Sequence, residues 1–231
     1  MKKPIIGIVA KYEDINFYGW NNDYINNLIR YAIIKNGGIA IGLLPQSNII
    51  KFNEDDEGKD LAVITKEDED ALKEEIKLCD GIVLQGGLAS AKYEEVIARI
   101  AIENDIPLLG ICAGQNNMIR ALNGNTILDT NPDKHDRPDL KFAHKMKIDK
   151  NSKFYDIVKQ DEVEVNSIHN YVANDTADFK VVAFSDDGHK EVVELPENKF
   201  CLGVKFHPEL LVDEVMWCNN IFKELVEASK K

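Results

Sequence analysis

The stretch PLLGICAGQNNMIRAL, residues 107–122, decides the fold of this chain. Its first five residues form a short apolar run, which is the pattern of a buried parallel strand. Met118, Ile119 and Leu122 then recur at helical spacing, and Gly124 follows as a stop signal. The sequence therefore predicts a strand that passes directly into a helix.

The junction between this strand and helix, residues 110–114, reads G-I-C-A-G. This is the G-x-C-x-G form of a nucleophile elbow, in which a sharp turn lifts the apex side chain out of the sheet and small neighbours prevent clashes. The apex is Cys112, at a helix N-terminus where the dipole favours the thiolate. Taken alone, the junction also fits a buried cysteine that acts only as a small hydrophobe, so both interpretations stay open here.

A second pattern with chemical potential lies near the end of the chain. The apolar run CLGVKF, residues 201–206, predicts a buried strand that leads into His207-Pro208-Glu209. Pro208 biases His207 towards extended backbone, where residues i and i+2 share a face, so the imidazole and the Glu209 carboxylate are expected to converge. Alone, this tripeptide also fits a strand end with a surface acid. Together with Cys112 it provides a nucleophile, a base and a group that orients the base.

With these motifs in place, the chain resembles class I glutamine amidotransferase-like proteins. Within them it is most similar to the γ-glutamyl hydrolase branch, typified by γ-glutamyl-γ-aminobutyrate hydrolases (peptidase family C26). The resemblance covers nearly the whole chain and rests on five segments in this order: PIIGIVA (4–10), DGIVLQGG (80–87), LLGICAGQN (108–116), VNSIHN (165–170) and GVKFHPE (203–209).

The resemblance implies an α/β fold, a flavodoxin-like three-layer sandwich with a mostly parallel central sheet and a nucleophile elbow. A small antiparallel strand region is expected beside it, and residues 1–231 are expected to form one domain. The resemblance also assigns Cys112, His207 and Glu209 as the catalytic residues, and the N–H groups of Gly87 and Ala113 as the oxyanion hole. The residues expected to border the substrate are Gly86, Asn116, Ser167 and His169.

The chain departs from the family pattern at four places close to these residues. Family members usually carry Gln at position 116 and often Arg at position 113, where this chain has Asn116 beside Gln115, and Ala113. An acid usually follows the glycine pair, where this chain has Leu88-Ala89. The residues after His169 are Asn170-Tyr171 in place of His and Gln. These departures affect recognition of the γ-glutamyl group more than the catalytic chemistry.

Composition and charge narrow the class of partner. The 231 residues are 44% hydrophobic, enough for a full core, and carry a formal net charge of −12, which repels nucleic acid and anionic lipid. The four cysteines are widely spaced without a C-x-x-C pair, which argues against a disulfide framework or a zinc site and favours a reducing cytoplasm. No metal or organic cofactor is expected, and His135 and His144 are interpreted as solvated or hydrogen-bonded.

The remaining segments are predicted from periodicity and turn residues. Residues 12–23 and 126–140 are interpreted as loops. A helix is expected between the first of these loops and Gly37-Gly38, with Asn22 or Asp23 as its N-terminal cap. Antiparallel strands are expected over 142–148, 180–184 and 191–195. A terminal helix is expected to carry on one face the residues Leu211, Val215, Cys218, Phe222 and Leu225.

The predicted function is cleavage of a γ-glutamyl amide through a thioester on Cys112, with a small-molecule γ-glutamyl substrate. Two alternatives stay open: a glutaminase subunit that supplies ammonia to a partner synthase, and a non-catalytic regulatory protein that retains the fold. Neither nucleic acid nor a membrane is an expected partner, and a homodimer stays open.

Overall fold

The computed structural model describes residues 2–15, 20–46, 52–53, 59–60, 62–87, 90–130 and 132–231. Their strands are β1 (Ile5–Val9), β2 (Lys11–Ile15), β3 (Trp20–Tyr24), β4 (Ile39–Leu43), β5 (Phe52–Asn53), β6 (Lys59–Asp60), β7 (Gly81–Leu84), β8 (Leu108–Ile111), β9 (Asn125–Leu128), β10 (His144–Ile148), β11 (Glu162–Val165), β12 (Tyr171–Asp175), β13 (Lys180–Ser185), β14 (Lys190–Glu194) and β15 (Cys201–Val204). Their helices are α1 (Asn27–Lys35), α2 (Lys66–Ile76), α3 (Lys92–Glu103), α4 (Ala113–Ala121), α5 (Pro132–His135), α6 (Lys153–Val158) and α7 (Met216–Ala228), and a 3₁₀ turn covers Pro208–Leu210.

A nine-stranded sheet runs through the molecule in the order β11-β10-β13-β14-β15-β8-β7-β1-β4. The strands from β15 to β4 are all parallel, and β14, β13, β10 and β11 continue the same sheet with antiparallel pairing. The predicted antiparallel region is therefore an extension of the central sheet. Small two-stranded sheets, β9 with β12 among them, lie outside it.

Helices cover both faces of the parallel strands, because successive strand residues point to opposite sides. Ile8 and Val83 pack in one buried cluster with residues of α1 and α7. Their neighbours Val9 and Ile82 pack in a second cluster with residues of α2, α3 and α4. This arrangement confirms the predicted three-layer α/β sandwich.

Two segments interpreted as loops contain strands. β2 and β3, which overlap residues 12–23, pair in antiparallel orientation, and β9, which overlaps residues 126–140, pairs with β12. The first of these corrections also moves the start of α1: Asn22 and Asp23 belong to β3, and the cap is Asn26, whose side chain accepts from Leu28 N at 2.9 Å. These strands are mostly polar, so their pairing is set by partners that the local pattern does not reveal.

The terminal helix is shorter than predicted. It begins at Met216, so the apolar residues Leu211 and Val215 precede it and follow the 3₁₀ turn. Within the described ranges, the helices all fall short of the length and apolar character that a bilayer crossing requires.

The parallel strands place the functional candidates at one edge. β7, β8 and β15 are neighbours, with Leu84 opposite Gly110 and Ile111 opposite Val204. The residues that follow these strands are therefore close in space at the carboxyl edge of the sheet, where open α/β sheets bind ligands.

Candidate active site

The junction between β8 and α4 has the strained backbone of a nucleophile elbow. Cys112 has φ 53° and ψ −105°, a conformation that residues with a Cβ rarely adopt. The glycines on either side let the turn close: a Cβ on Gly110 would lie 2.3 Å from Met118 Sδ, and one on Gly114 would lie 2.1 Å from the Leu84 carbonyl oxygen. The spacing of small residues in the sequence thus corresponds to two close approaches, one by the Met118 side chain and one by the Leu84 backbone.

The imidazole of His207 lies against the Cys112 sulfur and is hydrogen-bonded to it. On its other side, His207 Nδ1 is 2.8 Å from Glu209 Oε1. The convergence of His207 and Glu209 was expected, but its cause is different from the predicted one: Glu209 lies in the 3₁₀ turn rather than in extended chain. The turn curls the carboxylate back towards the imidazole.

Two neighbours fix the position of His207. The side chain of Asn166 pairs with its peptide group in both directions, since Nδ2 donates to the His207 carbonyl at 2.8 Å and Oδ1 accepts from its N–H at 2.7 Å. Gly86 lies directly under the ring, and a Cβ there would be 2.7 Å from His207 Cε1. Gly86 was expected to border the substrate, whereas the structure gives it the role of making room for the imidazole.

The electrostatics of the site favour a thiolate–imidazolium pair. Burial by itself raises the pKa of Cys112, but the charge and hydrogen bond of His207, with a contribution from Lys205, lower it to about 7. Burial likewise lowers the pKa of His207, but the charges of Glu209 and Cys112 and their hydrogen bonds raise it well above its usual value. The shifts have opposite directions, so the proton resides on the imidazole in the neutral pH range.

A cavity of about 170 Å³ opens beside the sulfur. Both residues predicted to form the oxyanion hole, Gly87 and Ala113, line it, and Ala113 is the first residue of α4. Peptide N–H groups at a helix N-terminus have no intrahelical partner and are suited to stabilise negative charge. The lining residues are Gly87, Ser90, Cys112, Ala113, Asn116, Arg120, Asp136, Ile168, His169, Asn170, Tyr171 and Lys205.

Three charged residues of this cavity, Lys205, Arg120 and Asp136, were missed by the sequence analysis. Lys205 is 1% exposed and donates from Nζ to Asn116 Oδ1 at 2.8 Å. Arg120 is held by Glu95 and Ser90, with its Nε 3.0 Å from Glu95 Oε1. The sequence did contain a signal for Lys205, because it lies within the apolar run GVKF and a buried charged residue needs a specific partner.

The contact with Lys205 explains the side chain at position 116. Asn116, which was expected to border the substrate, lines the cavity, but its carbonyl oxygen already accepts a hydrogen bond from the Lys205 ammonium group. The adjacent Gln115 cannot replace it, because its Nε2 donates to the backbone oxygens of Glu191 and Gly203 inside the sheet.

The residues from the V-N-S-x-H segment separate into two groups. His169, which was expected to border the substrate, lines the cavity. Ser167 does not: it is 1% exposed, and its Oγ donates to the His135 carbonyl at 2.7 Å. The segment therefore contributes His169 and Ile168 to the cavity wall, while Ser167 anchors the segment from behind.

His135 and His144 were interpreted as solvated or hydrogen-bonded, and the structure corrects the first part of that interpretation. Both are buried, and their rings lie 4.7 Å apart between centroids. The His135 ring also lies 5.0 Å from that of His169. The residues Leu88 and Ala89, which depart from the family pattern, lie outside the described residues.

A second cavity, of about 760 Å³ and therefore larger than the one beside Cys112, lies at the opposite edge of the sheet. Its walls include Asp80 and Pro107, which precede β7 and β8, together with the C-terminal lysines. The only cysteine that lines it among the described residues is Cys79, whose pKa burial raises to about 11. Its size does not make it the better candidate, because the strained cysteine and its histidine lie at the carboxyl edge.

Comparison with known proteins finds similarity to glutamine amidotransferase-like proteins. The chain is 29% identical to a glutamine amidotransferase-like protein of Rickettsia prowazekii, over 99% of both chains. It is 31% identical to the CTP synthase of Staphylococcus haemolyticus over 68% of this chain, and spans 35% of that enzyme's length. Among solved structures, the glutaminase domain of Trypanosoma brucei CTPS with bound acivicin matches 98% of this chain and 93% of its own, with a TM-score of 0.66 and 19% identity.

The peptidase C26 family model matches residues 89–209, just over half of the chain. This range begins before the elbow and ends at Glu209, so it contains the cysteine, the histidine and the glutamate described above. The chain belongs to the peptidase C26 family.

Proposed function

We propose that this chain is a cysteine-dependent hydrolase that cleaves γ-glutamyl amide bonds. One observation carries the proposal: Cys112 is held in a strained elbow at a helix N-terminus, in contact with a His207 that is itself bonded to Glu209. This is the arrangement of nucleophile, base and orienting carboxylate that acyl transfer requires.

The reaction begins when the Cys112 thiolate attacks the carbonyl carbon of the amide. We assign the N–H groups of Gly87 and Ala113 as donors to the oxyanion of the tetrahedral intermediate. His207 then gives its proton to the nitrogen of the leaving amine, the C–N bond breaks, and a thioester to Cys112 remains. Water, deprotonated by His207, attacks the thioester, and glutamate leaves with regeneration of the thiolate.

The charges of the cavity support an amino-acid head group on the substrate. Lys205 and Arg120 are suited to the α-carboxylate, and Asp136 is suited to the α-ammonium group. All three lie on the same cavity as Cys112, so a γ-linked carbonyl can reach the sulfur while the α-substituents contact the charged wall. This arrangement favours a γ-glutamyl substrate over a plain amide.

The proposal is tested with γ-glutamyl-p-nitroanilide and its α-glutamyl isomer, by following release of the chromophore. We expect turnover of the γ isomer only, complete loss in Cys112→Ala, and retention in Cys201→Ala, whose cysteine lies buried in β15. Turnover that persists in Cys112→Ala, or preference for the α isomer, would contradict the proposal.

A second function is supported by the similarity to CTP synthases, of which this chain spans about a third. In that case the same site would hydrolyse glutamine and pass ammonia to a partner synthase on another chain. The chemistry at Cys112 would be identical, so the two functions differ in the leaving amine and in the need for a partner.

A further inference from the structure

Behind the wall of the cavity, three buried side chains from separate elements point at one place. His135 ends α5, His144 begins β10, and Glu191 lies in β14. We call these three residues the histidine–glutamate cluster. One donor atom from each lies within 4.8 Å of the other two.

The donor atoms of the cluster lack hydrogen-bond partners. Among the described residues, His135 Nδ1, His144 Nε2 and both carboxylate oxygens of Glu191 are buried and unpaired. Glu191 Oε1 lies 3.5 Å from His144 Nε2 and 3.9 Å from His135 Nδ1, beyond ordinary hydrogen-bond range. Buried polar atoms left in this state are strongly destabilising, so a missing partner is expected between them.

The other nitrogen of each ring is already engaged, and this sets the tautomers. His135 Nε2 is 3.0 Å from Asp187 Oδ2, and His144 Nδ1 is 3.3 Å from the Lys145 carbonyl oxygen. Both acceptors require the ring nitrogen facing them to carry the proton. His135 Nδ1 and His144 Nε2 are then bare lone pairs directed at a carboxylate, which is the outer-shell arrangement of metal-bound histidines.

These separations suit a metal ion. Zinc bonds to nitrogen and carboxylate oxygen at about 2.0–2.1 Å, so tetrahedral donors lie roughly 3.4 Å apart. The two carboxylate–imidazole separations of 3.5 and 3.9 Å exceed this by at most about 0.5 Å. The separation between the two imidazole nitrogens is within 4.8 Å, so the rings would also move together around the ion. Two imidazoles and one carboxylate are a common zinc donor set, with the fourth position left to water.

We propose that His135, His144 and Glu191 bind one divalent cation of the zinc class, a site that the sequence analysis did not anticipate. The ion would fix the cavity wall from behind. The His135 carbonyl accepts from Ser167 Oγ at 2.7 Å and from the His169 N–H at 3.0 Å. Holding His135 therefore holds the segment that carries His169 into the cavity.

A neighbouring set, Asp129, His135 and His189, has similar spacing but is less suited to an ion. It would use atoms that are already engaged: His135 Nε2 lies 2.7 Å from His189 Nδ1 as well as 3.0 Å from Asp187 Oδ2. A cation there would have to displace these contacts, whereas the histidine–glutamate cluster loses none.

The test measures zinc binding in the Cys112→Ala background, because the thiolate and His207 would otherwise bind zinc themselves. The protein is purified, stripped with a chelator, and titrated with zinc chloride by calorimetry, with metal content measured by mass spectrometry. We expect one ion per chain and a rise in Tm of roughly 5–10 °C when free zinc is about one hundred times the Kd.

Two further substitutions in the same background locate the ion. Glu191→Gln keeps the shape of the side chain and removes the ligand charge, and should abolish stoichiometric binding while near-ultraviolet circular dichroism confirms the fold. His189→Asn removes a donor of the neighbouring set and none of the three donors of the histidine–glutamate cluster, and should retain one ion per chain. Absence of binding to the stripped protein, or loss in His189→Asn with retention in Glu191→Gln, would overturn the proposal.

Discussion

Cys112 differs from the other cysteines of the chain in its electrostatic surroundings rather than in its burial, since all four are buried. Burial raises the pKa of Cys79 to about 11 and that of Cys201 to about 12. Burial acts on Cys112 in the same direction, and only the adjacent imidazolium and the ammonium of Lys205 reverse it. Reactivity at this residue is therefore a property of its partners.

The lowered pKa of Cys112 predicts how the rate of its alkylation depends on pH. Because the thiolate is the reactive form, the rate at which iodoacetamide modifies Cys112 should fall about tenfold per pH unit below pH 7 and level off above it. In His207→Ala the midpoint should move upwards, since the charge that lowers the pKa is lost. Peptide mapping gives the rate at each cysteine, and equal labelling of Cys112 and Cys201 in the native protein would exclude the proposed thiolate.

Lys205 provides a second prediction at this scale. Lys205→Met preserves the length of the side chain but removes the proposed contact to the substrate carboxylate and leaves Asn116 Oδ1 without its donor. A hydrogen bond to a charged group contributes about 1.5–3 kcal/mol, so kcat/KM for a γ-glutamyl substrate should fall roughly 10- to 100-fold.

Lys147→Met is the matched control for Lys205→Met, because Lys147 is exposed on β10. Its kinetics should equal those of the unmodified chain. A kcat/KM for Lys205→Met within a factor of two of that control would remove Lys205 from the proposed binding wall.

At the scale of elements, strands and helices with a clear apolar pattern were the ones that the sequence predicted correctly. The strands β8 and β15 could be predicted because each is a continuous apolar run, and the helix α4 because its apolar residues recur at helical spacing. The hairpin of β2 and β3 could not, since YEDI and WNND carry no such period. Lys205 and Glu191 were missed for another reason: the residues around them in space come from distant elements, as Asn116 of α4 does for Lys205 and His135 and His144 do for Glu191.

The elbow predicts a large effect from one methyl group. In Gly114→Ala, the new Cβ would lie 2.1 Å from the Leu84 carbonyl oxygen, and backbone of a central strand cannot move aside. We expect the free energy of unfolding to fall by at least about 3 kcal/mol. Gly42→Ala in β4 is the control, because its nearest contact would be an ordinary 3.5 Å to Ile25. Similar urea midpoints for the two variants would contradict this account of the elbow.

The hydrogen bonds between Asn166, which follows β11, and His207, which lies beyond the end of β15, give a fourth prediction. Asn166 positions His207 through both of its peptide hydrogen bonds and does not line the cavity. Asn166→Ala should therefore lower kcat by roughly 10- to 100-fold with little change in KM, since a misplaced base slows the chemical step without weakening binding. Asn174→Ala, exposed on β12, should leave both constants unchanged. A rise in KM alone would assign Asn166 to substrate binding instead.

At the scale of the whole molecule, the fold collects the site from segments that are distant in sequence. The order of β7, β8 and β15 in the sheet brings Gly87, Cys112 and His207 to one edge, and this convergence could be predicted from the strand pattern alone. The side chains that line the cavity could not be predicted in this way, because they come from separate elements. Arg120 belongs to α4, Asp136 follows α5, and His169 lies in the segment after β11. The proposed recognition of the substrate depends on these residues, which is why sequence alone leaves the leaving amine open.

The last prediction separates a free-standing hydrolase from an ammonia donor. A donor is expected to be inactive until its synthase docks, whereas a hydrolase needs a formed oxyanion hole in isolation. Here Gly87 and Ala113 already line the cavity with Cys112, and Cys112 is already paired with His207. We therefore expect the isolated chain to release glutamate from γ-glutamyl-γ-aminobutyrate faster than from glutamine.

The measurement is steady-state glutamate release from both substrates at equal enzyme concentration, with Cys112→Ala as the blank. Specific activity should not depend on protein concentration, because every group assigned to the reaction comes from one chain. If the isolated chain is inactive on both compounds while Cys112 is still alkylated with a midpoint near pH 7, the nucleophile is intact and a partner is required. Glutaminase activity that appears on addition of a synthase would then assign the chain to the ammonia donors.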